Sequence, residues 1–120
     1  MNQLLPPGVL RVLFAIPFAV FGVMHFMYAE NMQGMVPAYI PGGVIWVYIT
    51  GACLILAALA LVINKFAKIA GYLLALMLLV FILTIHLPAL LGGDQNAMGS
   101  LLKDFSLMAA AMFVANFSSK

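Results

Sequence analysis

Charge is what this sequence has least of. Only 7% of its 120 residues are Asp, Glu, Lys or Arg, and just three are acidic. A soluble domain carries about 25% charged residues, so this chain has too little polar surface to face water on every side. The net charge of +2, on dispersed basic residues, leaves no basic patch of the kind that binds nucleic acid. There is one cysteine, Cys53, and it falls inside an apolar run. Dithiol exchange needs two thiols within reach of each other, so this chain cannot run it alone. The first residues lack a basic n-region and a small-residue cleavage site. The first apolar run is therefore expected to be a retained helix rather than a signal peptide.

What the sequence has is apolar length. Hydrophobic residues make up 67%, and mean hydropathy is +1.20. Four runs, 9–28, 43–63, 67–90 and 101–117, approach or exceed the ~20 residues that cross a hydrocarbon core. None shows the polar stripe of a soluble amphipathic helix. The expected fold is all-α, a transmembrane four-helix bundle forming one membrane domain over residues 1–120. Pro6 and Pro7 suit the start of the first helix. Pro17 is expected to kink it, and Ala15, Ala19 and Gly22 give it a small-residue face for close packing. Trp46 and Tyr48 open the second helix like an interfacial aromatic belt.

The basic residues set an orientation. Arg11, Lys65, Lys68 and Lys120 fall at one face, while the loops 29–42 and 91–100 contain no Lys or Arg. The positive-inside rule then puts both termini in the cytoplasm. Lys103, near the outer start of the fourth helix, is the one exception. The expected location is a bacterial inner (plasma) membrane. The first loop is apolar for a solvated segment, so it is expected to lie on the membrane surface or fold back over the helix ends.

The chain is organised around residues 22–46, where the first helix delivers His25 and the second begins. With the topology above, His25, Trp46, Thr50, His86, Lys103 and Asp104 all fall in the outer third. The inner half holds little besides Arg11, Tyr72 and the lysines. At 100° per residue, Arg11, Phe18, Gly22 and His25 share one face, as do Tyr72, Leu79 and His86, and Trp46, Thr50, Cys53 and Ala57. Two histidines at similar depth on alternate helices can face each other across a bundle core.

An ionisable group inside a span costs about 2.5–3.5 kcal/mol at the helix centre on insertion scales, which makes it a candidate functional residue. Plainer roles stand beside each candidate. Arg11 is equally read as a snorkelling anchor, and Trp46 as a belt residue. Asp104, placed in a first turn, complements a helix N-terminus. For His25 and His86, a structural hydrogen bond to Asp104, Thr84 or a backbone carbonyl weighs as much as a ligand role. Cys53 and the nine methionines read as packing, and no metal site is assigned.

Taken in order, certain short motifs resemble the DoxX-like family of small four-helix membrane proteins. They are Arg11, Gly22-x-x-His25-Phe26 and Met35-Val36-Pro37-x-Tyr39-Ile40-Pro41, followed by Trp46-x-Tyr48-x-Thr50-Gly51. A basic turn, His86-x-Pro88 and Lys103-Asp104 complete the series. The resemblance spans nearly the whole chain and implies a redox association. Some such proteins are membrane subunits of a thiosulfate:quinone oxidoreductase, and others accompany thiol-redox or superoxide-handling proteins. An animal branch assists receptor assembly. The paired cysteines of the dithiol-bearing relatives are missing here.

The expected function is a redox-associated membrane subunit that binds a quinone-like or other small lipophilic ligand near the outer face. His25, His86, Asp104, Lys103, Trp46, Thr50 and Arg11 are the candidate contacts. Imidazole suits proton transfer near neutral pH. A haem or metal held by His25 and His86 is a sharper and less favoured variant. The alternative is a non-catalytic accessory or chaperone-like subunit working through helix–helix contacts, including the Ser106 and Ala109–Ala111 stripe. A transporter is less favoured, because the inner half offers few polar residues to line a path. The expected partners are the lipid bilayer and either another membrane protein or further copies of this chain, with no nucleic acid.

Overall fold

The computed structural model describes residues 4–35 and 41–118. The loop motif at Val36, Pro37, Tyr39 and Ile40, and the basic residue Lys120, lie outside the described residues. Within the described residues the chain is all-helical. Helix α1 spans Pro7–Met27, followed by a single turn α2 (Ala29–Met32) and a 3-10 turn, Gln33–Met35. Helix α3 spans Val44–Ile63. Next come α4 (Ala67–Phe81), a π-helical turn (Ile82–His86) and α5 (Leu87–Leu91), which run on as one rod. Helix α6 spans Asn96–Asn116. Four segments, Pro7–Met27, Val44–Ile63, Ala67–Leu91 and Asn96–Asn116, are long and apolar enough to cross a membrane. Only 17–28% of an apolar 18-residue stretch of each is buried within the chain. The rest of their apolar surface suits lipid, which is where a multi-pass protein puts it.

The buried positions follow a seven-residue rhythm. On α3 they are Val47, Gly51, Leu54, Ala58 and Leu61. On α6 they are Ala97, Asp104, Ala111 and Ala115. Steps of three and four place such residues along one seam between helices. Much of that seam is Ala or Gly, because helices in lipid associate by close van der Waals packing rather than by hydrophobic expulsion. The closest crossings show this. A Cβ on Gly22 would lie 2.5 Å from Ile55 Cγ1 and 2.9 Å from the Gly51 carbonyl oxygen. A Cβ on Gly71 would lie 2.6 Å from Ala115 Cβ and 3.0 Å from the Ala111 carbonyl. Helix α1 therefore pairs tightly with α3, and α4 with α6. The contact of α3 with α4 joins the two pairs into one bundle.

Three expectations need correcting. The fourth span begins at Asn96, five residues earlier than expected, because Asp94 starts it. Asp94 Oδ1 accepts from the Asn96 N–H at 3.0 Å, and the Asp94 carbonyl accepts from the Ala97 N–H. A side-chain oxygen there satisfies a donor that the first turn would otherwise leave orphaned. Asp104 is thus the ninth residue of α6, too far in to complement its N-terminus. Second, Cys53, expected as a packing residue, is exposed, as is Trp46. Third, Tyr72, Leu79 and His86 do not share a face: Tyr72 and Leu79 are exposed, whereas His86 is not.

The π turn explains that third departure. The Leu87 N–H donates to the Ile82 carbonyl five residues back. The widening comes just before Pro88, whose ring would otherwise press on the carbonyl of Thr84. Eight residues of straight α-helix turn through about 800°, leaving residue 86 about 80° off the line of buried Leu78. One extra residue in a wide turn takes roughly 100° of that back. His86 is rotated onto the buried stripe as a result.

At the loop end, the described part of the first loop folds back over the start of α3. Ala29 is buried and α2 packs against α3. The Trp46 indole N–H donates to the Pro41 carbonyl, and the rings of Phe26 and Tyr48 stack 5.6 Å apart. At the other end, Asn64 ends α3 in the left-handed conformation (φ 56°), which Asn tolerates well.

Gly71→Leu is expected to cost roughly 1–3 kcal/mol by overpacking the α4–α6 crossing. Gly99→Ala, where a Cβ meets nothing within 4 Å, should leave stability unchanged or slightly raised. Denaturation by a titration of sodium dodecyl sulfate in mixed micelles, followed by circular dichroism, reads both.

Candidate functional site

Asp104 is the one buried charged residue among the described residues. It occupies the seam position between Ala97 and Ala111, where the rhythm of α6 would otherwise place another small residue. Its Oδ2 lies 2.7 Å from His86 Nε2. The side chains are 9% and 13% exposed, respectively. Eight residues separate Asp104 from the start of α6, and five separate His86 from the end of α5. The pair therefore sits roughly 8–12 Å below the helix ends, at 1.5 Å per residue. A carboxylate at that depth is tolerated when a partner takes up its lone pairs. The π turn supplies that partner by turning His86 toward α6.

The pairing also assigns the ring. A carboxylate only accepts, so with Asp104 ionised the Nε2 of His86 is the donor. The neutral imidazole then keeps its lone pair on Nδ1. No protein group bonds Nδ1 among the described residues, and it is not a buried unsatisfied atom. It reaches the surroundings of the bundle as an oriented acceptor, or as a donor once the ring takes a proton. Nearby, Thr84 spends its hydroxyl on the Val80 carbonyl at 2.6 Å, so it does not compete for His86.

The other candidates separate from this pair. His25 lies in the α1–α3 crossing, where its Cβ would be 2.7 Å from a Cβ on Gly51. Its Nδ1 is 2.6 Å from the Phe21 carbonyl one turn back, which makes Nδ1 the donor and leaves Nε2 outward. His25 and His86 thus belong to different helix pairs, and each has one ring nitrogen already engaged. Trp46 is 45% exposed and pins the loop to the start of α3. Thr50 is half-buried on α3, and Lys103 is exposed beside Asp104. Arg11 stands at the opposite end of the bundle, about 21 Å from His25 along α1. Its Nε donates to the Leu61 carbonyl at 2.7 Å, one of the last four carbonyls of α3, which have no helical partner. Among the described residues, no three histidine, cysteine or carboxylate side chains come together as metal ligands would.

A family model described as a domain of unknown function, DUF8561, matches residues 14–103. That is three quarters of the chain. The protein belongs to this family. The DUF8561 match takes in His25, Trp46, Thr50, His86 and Lys103, and it ends one residue short of Asp104. No curated protein and no solved structure matches the chain.

His86→Phe and Asp104→Leu should each destabilise this DUF8561 protein by about 1–3 kcal/mol, because each leaves the other partner unsatisfied. The double variant should lose less than the sum, with a coupling of roughly 0.5–3 kcal/mol. Lys103→Ala, on the exposed side, should stay within about 0.5 kcal/mol of the parent. Detergent unfolding reads all four variants, and the first three with the parent form the double-mutant cycle.

Proposed function

We propose that this protein is a DoxX-like, redox-associated subunit of a bacterial inner membrane, and that its His86–Asp104 pair receives the polar head of a small quinone-like molecule. The observation that carries the reading is the half-buried imidazole, oriented by a carboxylate through Nε2 and open at Nδ1. An ionisable pair inside a span is by default a candidate ligand or proton site, and π turns recur at functional sites. The order of short motifs shared with DoxX-like proteins supports the redox class.

The chemistry available to these residues is proton transfer next to a lipophilic ring. A quinone-like carrier would supply the electron-transfer capacity that the side chains lack. Nδ1 can accept a proton from a hydroxyl of the bound head group. The Asp104 carboxylate holds Nε2, as carboxylates do for oriented histidines. In the reverse direction the imidazolium donates from Nδ1 to a carbonyl oxygen. Asp104 holds the ring's tautomer and direction, and His86 is the group that touches the ligand.

A second reading has its own observation. The chain buries little of its spans and leaves large side chains such as Phe105 and Phe113 exposed in α6. That surface suits an accessory subunit docked on a membrane partner or on further copies of itself, with the His86–Asp104 pair serving only to hold α6 to the third span.

The readings part on one preparation. The wild type, His86→Ala and Asp104→Asn are purified in mild detergent, their spectra are recorded oxidised and reduced, and their organic extracts are weighed by mass spectrometry. A stoichiometric quinone-like molecule or redox-responsive band is expected in the wild type and lost in His86→Ala. A featureless wild type that co-purifies with a stoichiometric membrane protein, unaffected by either substitution, would reverse the order of the two readings.

A further inference from the structure

The end of the bundle that carries both termini has a site of its own, independent of the His86–Asp104 pair. A groove of about 720 Å³ opens between the first turns of α1 and the last turns of α6. Leu5, Leu10, Phe113, Val114 and Phe117 line it, and Arg11 stands in its wall. The size falls within the roughly 300–1,000 Å³ typical of small-molecule sites. The groove exists because α1 pairs with α3, and α6 with α4, so the two outer helices stand apart at this end.

Two features say what fills it. First, the Arg11 guanidinium is anchored. Its Nε bond to the Leu61 carbonyl fixes the plane, while the Nη amines have no partner among the described residues and are not buried. A fixed fork of N–H donors suits a phosphate or carboxylate. Second, the charge at this end has one sign. Arg11, Lys65 and Lys68 are here, whereas all three acids, Glu30, Asp94 and Asp104, are at the loop end or on the loop-end half of α6. Arg11 lies four residues into α1, about 6 Å from its start, a depth at which a head group meets its acyl chains.

We propose that this groove holds one anionic phospholipid, with its phosphate on the Nη amines of Arg11 and an acyl chain along Leu10, Phe113, Val114 and Phe117. Basic pockets between spans select anionic head groups in this way. The apolar lining distinguishes a lipid from free phosphate, which would gain nothing from it.

The test is native mass spectrometry of the full chain in mild detergent, titrated with phosphatidylglycerol or with phosphatidylcholine of the same acyl chains. One phosphatidylglycerol adduct is expected, retained at least tenfold better than phosphatidylcholine. Arg11→Gln should erase that preference, whereas Lys65→Gln combined with Lys68→Gln should keep it. Val114→Trp leaves every charge in place and fills the groove. It should lower retention of both lipids, and it decides the matter if Arg11→Gln fails to fold. Equal retention of the two lipids by the wild type, an unchanged preference in folded Arg11→Gln, or undiminished retention in folded Val114→Trp overturns the proposal. So does displacement of the adduct by inorganic phosphate, which would make the site a phosphate site alone.

Discussion

A carboxylate within a membrane span has to be paired, and much of this bundle's local geometry follows from where Asp104 finds its partner. Asp104 occupies a buried seam position between Ala97 and Ala111. Among the described residues, its short polar contact is His86. For that contact to form, the third span has to present residue 86 to α6, and a straight α-helix would not do so. The wide turn at Ile82–His86 is the adjustment, and Pro88 gives it a local cause. Sequence, helix geometry and electrostatics meet in one turn of backbone.

The two ends of the molecule solve different problems. At the loop end, apart from the His86–Asp104 pair, polar groups are satisfied in place: Trp46 on Pro41, His25 on Phe21, Thr84 on Val80. Two of these bonds run back one helical turn, so they cost little order and bring no second helix with them. At the terminal end two side-chain bonds cross between helices. Arg11 reaches the end of α3, and Tyr72 of α4 donates to the side chain of Asn116 on α6. The Tyr72–Asn116 bond sits beside the tight Gly71–Ala115 crossing, and the Arg11–Leu61 bond ties the start of α1 to the end of α3.

The class and the span count were legible in the sequence because they rest on apolar length alone, and four helices appear where four runs were expected. The Arg11–Phe18–Gly22–His25 face was also legible: Phe18 and Gly22 are buried and the other two half-buried. What periodicity missed has specific causes. The start of α6 was hidden by Gly92 and Gly93, which read as loop, although Asp94 stood just ahead of it to take the Asn96 N–H. The orientation of His86 was hidden because a π turn breaks the 100° step on which any face assignment depends, and Pro88 was the visible hint. Asp104 as a seam residue was readable from Ala97–Asp104–Ala111 at seven-residue spacing once the helix start was placed correctly. The Arg11–Leu61 bond joins residues fifty apart through a backbone carbonyl, and no side-chain pattern announces such an acceptor.

The tight crossings fall within hairpins, α1 with α3 and α4 with α6, and the middle contact is the looser one. Each hairpin brings its own glycine notch and closes between neighbours in the chain. Such a molecule can be laid into a bilayer in two instalments. The first pair can settle while the second is still being made, and the seam between α3 and α4 closes last. A bundle with its best packing between the first and fourth spans would have to wait for its final residue before anything fitted.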